Sequence, residues 1–442
     1  MGKFKEFFVL GLTATMLAGI FVGCSRETQH KPQKVENLRE KTDDEKKQEN
    51  HVKLKVVSMF GGSDPNASTF EDAIEQFMRS NPNIIIENQS DVADEVWKSN
   101  VLTDFAAGNE PDVIQFFTDV NSKTLVEQDK VVTIDEIRSV YPDYGRNINQ
   151  EALESAACYD GVQYAIPTHG YYEGIFCNKD LFEANGVELP TDWSKLEQAI
   201  ITFRSKGITP IAAALGHIPH YLIEHFILAE GGTLEHGNRD IESIKDTWIN
   251  GLSYFKKFND MGAFPMDTAT TGHELAQAQF VEKQAAMLID GSWAMGNIID
   301  KDNTIILPIP GTGNGKKDPS EIISGFSSGF YITRKAWDDL EKRDATVKFV
   351  MEMTTNEMIK KLVTAAGGGT PAANVGELTG LTPLGARGAS MASRAIASDG
   401  AIDGWLSKPA WSYLLSKVVD ITTGADDPEI VVNQVITLNT MQ

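Results

Sequence analysis

The alternation of short apolar runs with helical segments constrains the fold of this chain more than any other feature. Residues 54–59 are rich in Val and predict a strand, and residues 67–80 place their apolar side chains on one face of a helix. A second apolar run at 84–86, a helical segment at 92–107 and a third apolar run at 112–115 continue the pattern. Because parallel strands have to be joined by crossover connections, usually helices, this order predicts parallel βαβ units and an α/β fold.

The same alternation continues through the middle of the chain. Further strands are predicted at 164–167, 175–177, 286–289, 305–307 and 329–332. Further helices are predicted at 193–206, 220–230, 241–261 and 273–282, and from Ala336 onward the chain is mainly helical. Because 442 residues are more than one compact domain usually holds, we expect two lobes.

The first residues form a segment of a different kind. Lys3 and Lys5 precede an apolar run at 7–22, which is shorter than the ~20 residues that a membrane-spanning helix needs. A basic start and a short apolar middle indicate a secretory signal peptide, predicted here for residues 1–23. A permanent transmembrane anchor is the alternative interpretation.

The end of this segment indicates lipid attachment. Residues 21–25, Phe-Val-Gly-Cys-Ser, resemble a bacterial lipoprotein signal, in which the cysteine after the cleavage point carries the lipid. The resemblance implies lipidation of Cys24 at the extracellular face of the cell membrane. However, Phe21 stands where the pattern usually has Leu, Val or Ile, and a simple secretory peptide is the alternative. Residues 24–50 are predicted to be a disordered tether, because they are highly charged and have almost no large apolar side chains.

Composition limits the partners that this chain can have. A formal net charge of −22 argues against nucleic acid or an anionic membrane surface, since both require basic patches. Two cysteines in the body, Cys158 and Cys177, do not make a disulfide framework, and both have apolar neighbours in the sequence. We therefore expect two buried free thiols, although a bridge between them remains open.

An enzyme is the main alternative to a binding protein. Residues 325–329 match the G-x-S-x-G elbow of serine hydrolases, with Ser327 as the nucleophile. That elbow requires a helix after the serine and a histidine later in the chain, but a strand-like run follows and the last histidine is His273. No metal or other cofactor is expected, because three neighbouring histidines lack the accompanying ligand pattern of a metal site: His217, His220 and His225.

Six short segments, in the order in which the family has them, resemble one family of proteins. They lie at 77–82, 105–113, 160–167, 178–182, 189–193 and 280–293. Together they are similar to the extracellular solute-binding proteins of carbohydrate ABC importers, which include maltodextrin-binding proteins. Two departures from the family pattern are Cys177 in place of Tyr, and Lys283-Gln284 in place of Gly-Lys.

The resemblance implies a periplasmic-binding-protein-like fold of type II, with two α/β lobes joined by crossover strands. We expect crossovers near 164–167, 289–293 and 324–329. The N-terminal lobe would then contain residues 51–163 and 290–324, and the C-terminal lobe residues 164–289 and 325–442. The implied function is capture of a sugar or oligosaccharide in the interlobe cleft by a monomer, followed by delivery to the permease subunits of the transporter.

The resemblance also places the residues that contact the ligand, which follow strands or lie on crossovers. Trp293 matches the family's stacking tryptophan, while Phe116 and Asp119 match a loop that supplies an aromatic platform and a carboxylate. Gly61 follows the first strand, where a glycine allows a ligand to approach the backbone closely. The remaining predicted contacts are all aromatic, and each has a structural alternative: a plain turn for Phe60, as for Gly61, and packing in the core for the others. These contacts are Phe60, Tyr171, Tyr172, Tyr221, Phe326 and Trp405.

The class of ligand stays open at this point. Peptides and polyamines are alternatives to a sugar, and the acidic composition is compatible with a polyamine. A sugar that contains a uronate would need a cationic side chain in the cleft, for which Arg387 and Arg394 are candidates.

Overall fold

The structure is a computed structural model in which residues 51–440 are described. These residues belong to one compact unit, Glu49–Gln442. The predicted signal peptide at 1–23, the predicted lipidation of Cys24 and the predicted tether at 24–50 lie outside the described residues. None of the helices in residues 51–440 combines the length and the apolar character that a bilayer crossing requires.

The first half of the described chain alternates strands and helices, as predicted. Its elements in chain order are β1 (Val52–Val57), α1 (Ala67–Ser80), β2 (Ile84–Asn88), α2 (Glu95–Ala107), β3 (Val113–Phe117), α3 (Lys123–Glu127), α4 (Ile134–Val140), α5 (Gln150–Ser155), β4 (His169–Asn178), α6 (Lys179–Asn185), α7 (Trp193–Ser205), β5 (Thr209–Ala212) and α8 (His220–His236). Local chemistry sets the ends of α2. The Asp94 carboxylate accepts a hydrogen bond from the backbone N–H of Trp97, and Gly108 ends the helix in the left-handed conformation, with φ 76°.

The second half is mainly helical after its strands, also as predicted. Its elements are α9 (Lys245–Asp260), α10 (His273–Val281), β6 (Ala285–Gly291), β7 (Thr304–Leu307), β8 (Ile322–Gly325), β9 (Ser328–Ile332), α11 (Arg334–Asp338), α12 (Leu340–Met353), α13 (Asn356–Ala366), β10 (Thr370–Pro371), α14 (Pro383–Ser393), β11 (Ser398–Asp399), α15 (Lys408–Thr423) and α16 (Pro428–Thr440). Two 3₁₀ turns, Ser292–Gly296 and Ile402–Gly404, lie after β6 and β11.

The first sheet has the strand order β2–β1–β3–β9. β1 is parallel to both β2 and β3, with Val52 opposite Ile84. β9 is antiparallel to β3, with Val113 opposite Ile332. The predicted parallel pairing is therefore confirmed for the first three strands.

The second sheet is centred on β4. Its main strand order is β11–β8–β4–β6–β5, and β7 and β10 also pair with β4. All of the strands that pair with β4 run antiparallel to it, and its side chains from Tyr172 to Asn178 are buried. The strand predicted at 164–167 is only a single bridge between Ile166 and Phe330, because Pro167 has no N–H to continue a ladder.

Each sheet is covered by hydrophobic clusters on both faces, and each sheet with its clusters is called a lobe here. In the N-terminal lobe, one face of the first sheet packs with Phe70 of α1 and Phe349 of α12, and the other with Trp97 of α2. In the C-terminal lobe, alternate residues of β4 enter two clusters. Ile175 packs with α7, α8 and α9, whereas Phe176 packs with α10 and α14.

The sheets depart from the predicted lobe boundaries. Residues 290–324 were assigned to the N-terminal lobe, but β7 and β8 hydrogen-bond to β4 in the second sheet. Residues 325–442 were assigned to the C-terminal lobe, but β9 joins the first sheet, and α12 and α13 pack against it. The boundaries were wrong because a short apolar run such as 305–307 fits the edge of either sheet equally well.

The chain passes from one sheet to the other near two of the three predicted crossovers. It leaves the first sheet after the Ile166 bridge and enters β4 at His169, and it passes from β8 to β9 across Phe326 and Ser327. The third predicted crossover, at 289–293, leads instead through the 3₁₀ turn into β7 of the same sheet.

Both cysteines of the described chain are free and buried, as expected. The Cys177 side chain lies in the large cluster of the C-terminal lobe. The Cys158 thiol lies 3.3 Å from the Tyr331 hydroxyl in the N-terminal lobe. Burial raises the pKa of both thiols, that of Cys158 to about 11.

We predict that neither thiol reacts with a thiol reagent in the folded protein. A Cys24→Ser variant treated with Ellman's reagent at pH 8 should release no chromophore until denaturant is added, and then two equivalents per chain. The reason is that both side chains are buried and thiolate is scarce at this pH. Rapid reaction of either thiol without denaturant would contradict the packing described above.

Candidate ligand-binding site

Three aromatic rings meet beside the central strands of the second sheet. Tyr171 lies on β4, Tyr221 lies in the first turn of α8, and Trp293 lies in the 3₁₀ turn after β6. The centroid of the Trp293 ring is 5.8 Å from that of Tyr171 and 5.5 Å from that of Tyr221. All three side chains are only partly buried, so their rings have surface to offer a ligand. These three residues are called the aromatic cluster below.

The backbone around the aromatic cluster holds the rings in place. The Tyr171 hydroxyl accepts a hydrogen bond of 2.9 Å from the backbone N–H of Ala401. The Trp293 ring lies directly over Gly291, where a Cβ atom would come within 2.2 Å of the indole. Position 291 therefore requires glycine, because any side chain would displace the tryptophan. Tyr221 also packs against the rings of His220 and His273.

Three buried carboxyl groups lie beside the rings. Glu173 is 2% exposed. It follows Tyr171 by two residues on β4, so the two side chains lie on the same face of the strand. Glu224 and Asp290 are completely buried, and Glu224 follows Tyr221 by one helical turn. The Asp290 carboxylate accepts hydrogen bonds from the Gln277 side chain, at 2.9 Å, and from the backbone N–H of Gly291, at 2.8 Å.

Burial and mutual repulsion raise the pKa of two of these carboxyl groups. Burial has the largest effect on Glu173 and raises its pKa, and the charges of Asp290 and Asp403 raise it further. The pKa of Glu224 is also raised well above its ordinary value, first by burial and then by the charges of Glu173 and Asp403. Both groups are therefore harder to ionise than an exposed glutamate, and a nearby cation would favour their ionised forms.

The N-terminal lobe contacts the C-terminal lobe next to these groups. Buried Lys98 of α2 lies 3.6 Å from Asp403, in the 3₁₀ turn after β11, and also pairs with Glu95 at 2.8 Å. Asp119, which follows β3, accepts hydrogen bonds of 2.8 Å from both the backbone N–H and the side-chain amide of Asn121. A Cβ atom on Gly404 would lie 3.4 Å from Asp119, so this turn lies directly against the loop after β3.

The environment of Asp119 raises its pKa to about 7. Burial is the main cause and the charge of Asp403 adds to it, while the Asn121 hydrogen bonds and Lys98 act in the opposite direction. A second contact between the lobes is the hydrogen bond of 2.9 Å from the Ser63 hydroxyl to Glu274 of α10. Asp119 thus lies at the interface between the lobes, and its charge state depends on the packing of that interface.

Of the ten predicted contact residues, the structure brings four together: Tyr171, Tyr221, Trp293 and Asp119. Three others lie in hydrophobic clusters and have almost no exposed surface. Phe60 is 3% exposed and packs on Phe70, Phe116 is completely buried against Trp97, and Tyr172 is completely buried with its hydroxyl towards the sulfur of Met295. Core packing was the alternative considered from the sequence for Tyr172, and the structure places Phe60 and Phe116 in the core as well.

The remaining predicted residues lie outside the aromatic cluster. A Cβ atom on Gly61 would meet the backbone of Ser90 and Asp91 at 2.4 Å, so its close approach is to the protein itself. Phe326 packs on the N-terminal lobe where the chain crosses between the sheets. The Trp405 ring packs on the guanidinium of Arg239, 4.5 Å away. Serine 327 lies at the same crossing as Phe326 and is followed by β9 rather than by the helix of a hydrolase elbow.

Sequence reasoning missed several residues at this site. Phe117 rather than Phe116 is partly exposed, and the Lys98 ammonium lies 4.7 Å from its ring centroid. Glu173 and Glu224 were also missed. Their signal was an acidic residue inside an otherwise apolar strand or helix, two or three positions after a predicted tyrosine contact.

Other surfaces and clusters give weaker candidates for a site. A depression of about 750 Å³ between α1 and α13 is lined by polar and aliphatic residues, and its lining contains no aromatic ring. His217 is exposed, whereas His225 is buried within its helix. Across residues 51–440, no group of three or more His, Cys, Asp or Glu side chains is arranged to hold a metal ion.

Comparison with known proteins identifies the family. Residues 61–360 match the model of the bacterial extracellular solute-binding protein family. The chain belongs to this family. No curated protein matches the sequence as a relative. The resemblance stated from the six sequence segments is confirmed.

Solved structures share the fold of this solute-binding protein over almost their whole length. A protein from work on xylan utilization by the thermophilic bacterium Caldanaerobius polysaccharolyticus has a TM-score of 0.77 and 23% identity, covering 87% of this chain and 99% of its own. A chitin oligosaccharide binding protein has a TM-score of 0.75 and 19% identity, covering 87% and 98%. RafE in complex with raffinose has a TM-score of 0.70 and 20% identity, covering 88% and 98%. The predicted periplasmic-binding-protein-like α/β fold is confirmed.

We predict that Asp119 makes the stability of the folded chain fall as pH rises towards neutrality. Its pKa is raised from 3.8 to about 7, so the folded chain retains a proton that the unfolded chain releases. The free energy of unfolding should therefore fall by up to ~1 kcal/mol per pH unit between about pH 4 and 7 because of this group. Asp119→Asn keeps an oxygen for the Asn121 hydrogen bonds and removes the titration.

Urea unfolding at pH 5 and at pH 8 measures this effect. The wild-type protein should lose more stability between the two values than Asp119→Asn does, and the variant should be the more stable protein at pH 8. Parallel pH dependence of the two proteins would show that Asp119 is ionised without penalty in the folded state.

Proposed function

We propose that this solute-binding protein captures a sugar or oligosaccharide between its lobes and delivers it to the permease of an ABC transporter. The observation that supports this most strongly is the aromatic cluster, whose partly exposed rings lie beside polar groups where the lobes meet. Family membership supports the binding role. The structural relatives include proteins described as binding chitin oligosaccharide and raffinose.

The chemistry of the site suits a hydroxyl-rich ring. The C–H face of a sugar packs on an aromatic face such as that of Trp293, while its hydroxyl groups need hydrogen-bond partners around the rim. Asp119 and Asp290 offer carboxylate oxygens, which accept such hydrogen bonds well. Because a buried polar group without a partner costs about 1–3 kcal/mol, affinity requires that both the ring face and the rim be satisfied.

Closure of the two lobes would complete the site. The chain connects the sheets by short passages at 166–169 and 325–328, which are suited to hinge motion. Ligand bound to the C-terminal lobe would be covered by the loop after β3 that carries Asp119. A ligand can drive this closure only to the extent that it binds the closed state more tightly than the open state. The permease would then recognise the surface of the closed protein.

The proposed location follows from the N-terminal sequence and the family. A signal peptide at 1–23, lipidation of Cys24 and a tether at 24–50 would hold the folded unit at the extracellular face of the cell membrane. The proposal includes no catalytic step and no cofactor. It describes a monomeric binding protein whose cycle consists of capture, closure and release to the permease.

We predict that Trp293→Ala weakens saccharide binding at least tenfold, because the loss of a stacking ring removes about 1.4 kcal/mol or more. Isothermal titration calorimetry with a saccharide found by thermal-shift screening measures this change. The matched control is Tyr159→Ala, which removes an exposed aromatic ring from the N-terminal lobe and should leave the affinity unchanged.

Three outcomes would contradict the proposal. If Trp293→Ala bound the saccharide as tightly as the wild-type protein, the aromatic cluster would not be the site. If only peptides shifted the melting temperature in a screen that includes mono- and oligosaccharides, the ligand class would be wrong. Turnover of an ester that Ser327→Ala abolishes would favour the hydrolase alternative.

A further inference from the structure

We infer that the ligand of the aromatic cluster is a saccharide with a protonated amino group, such as one containing an unacetylated hexosamine. This inference rests on the proposed function and names the class of sugar. It follows from the charges, the unpartnered oxygen atoms and the rings that the fold brings together at one place.

Acidic side chains outnumber basic ones around the aromatic cluster. Five acidic side chains lie there: Glu173, Glu224, Asp290, Asp119 and Asp403. Lys98 is the buried cation among them, and it is already paired with Glu95 and Asp403. Lys408, which is near Asp119, is exposed to solvent. Lys317 donates hydrogen bonds to the backbone carbonyls of Asp318 and Glu321.

His273 Nε2 lies 3.5 Å from the Asp290 carboxylate, but two other histidines at the site, His225 and His220, do not compensate the acidic side chains. His225 Nδ1 lies 3.6 Å from Glu173, but it is hydrogen-bonded to the backbone carbonyl of Tyr221 at 2.7 Å. Burial lowers the pKa of His225 to about 3, and it lowers that of His220 to a similar value. Both rings are therefore neutral at physiological pH.

Two of the buried acids have oxygen atoms without a hydrogen-bond partner in the described chain. They are both oxygens of Glu224, which is completely buried, and Oε2 of Glu173, which is 2% exposed. The backbone N–H groups of Ile402 and Asp403 are close enough to lower the pKa of Glu224, but they do not complete a hydrogen bond. A buried carboxyl group in this condition is costly, and a cation that reaches it is correspondingly favoured.

The aromatic cluster and the buried carboxyl groups lie close to one another. Burial raises the pKa of the Tyr221 hydroxyl, and the charges of Asp290, Glu173, Asp403 and Glu224 raise it further. All four carboxyl groups are thus within electrostatic reach of one ring of the aromatic cluster. An ammonium group is attracted both to the faces of such rings and to carboxylates, whereas a neutral hydroxyl gains much less from either.

The rings favour an amino sugar over a simple polyamine. Tyr171, Tyr221 and Trp293 offer flat faces for the C–H surface of a sugar ring, and the amino group supplies the charge. Because burial raises the pKa of Glu173 and Glu224 and an ammonium group beside them lowers it again, binding of such a group should release protons to the buffer.

The experiment uses pairs of saccharides that differ only in the amino group. Calorimetry at pH 7 compares glucosamine with glucose, galactosamine with galactose, and chitosan oligomers with cello-oligosaccharides and with N-acetylated chitin oligomers. Titrations in phosphate and in Tris measure proton release. We expect at least one amino saccharide to bind tenfold or more tightly than its neutral and its acetylated counterparts, with release of protons.

The variant Glu224→Gln should abolish this tenfold preference, since Gln keeps the shape of the side chain and removes its charge. Glu173→Gln is the second variant if the first does not fold, as judged by its melting temperature. The control Glu183→Gln changes an exposed acid on α6 and should bind as the wild-type protein does.

The outcomes separate this inference from the proposed function. Neutral saccharides that bind as tightly as their amino counterparts would overturn the inference and leave the sugar-binding function intact. A preference that persists in both Glu variants would overturn it as well. If spermidine bound and every saccharide failed to bind, both the inference and the proposed sugar function would be wrong.

Discussion

The central constraint of this structure is the position of β4 in the second sheet. β4 pairs with four other strands, and its period of two directs alternate side chains to opposite faces. Tyr172 and Phe176 enter one hydrophobic cluster, while Tyr171 and Glu173 face α8 on the other side. A strand fixed on both edges and both faces cannot slip in register, so Tyr171 is held against the Trp293 ring and Glu173 within electrostatic reach of Glu224. The site is thus built on the rigid part of the C-terminal lobe.

The facing side of the site is built differently. Asp119 and Lys98 come from a loop and a helix of the N-terminal lobe, and they contact the C-terminal lobe through Asp403 and Gly404. These contacts depend on the approach of the two lobes, because Lys98 and Asp119 lie on one lobe and Asp403 and Gly404 on the other. Recognition of the solute can therefore lie in the rigid lobe, while the closing lobe contributes contacts that form only when the ligand is covered.

Local sequence patterns predicted many of the strands and helices and some of the site residues. The long-range pairing of the strands could not be predicted from them. The alternation of 54–59, 67–80 and 84–86 predicted the first βαβ units, and Trp293 and Tyr221 were found by resemblance. The sheet membership of 305–307 was missed, because apolarity does not specify which edge receives a strand. Phe116 was chosen over its neighbour Phe117, since a resemblance in sequence does not show which of two adjacent rings faces outward. The buried Glu173 and Glu224 stood out only as acids in apolar segments.

The central claim is that the lobes close on a saccharide held at the aromatic cluster, and a distance between the lobes tests it most directly. Spin labels at two exposed positions, through Val96→Cys on α2 and Met266→Cys in the C-terminal lobe, can be attached in a Cys24→Ser background because the two remaining cysteines are buried. Double electron–electron resonance should show a shorter and narrower distribution of distances between the two spin labels once a binding saccharide is saturating. A distribution that stays the same in the free and the saturated protein would contradict closure, and with it the mechanism described here.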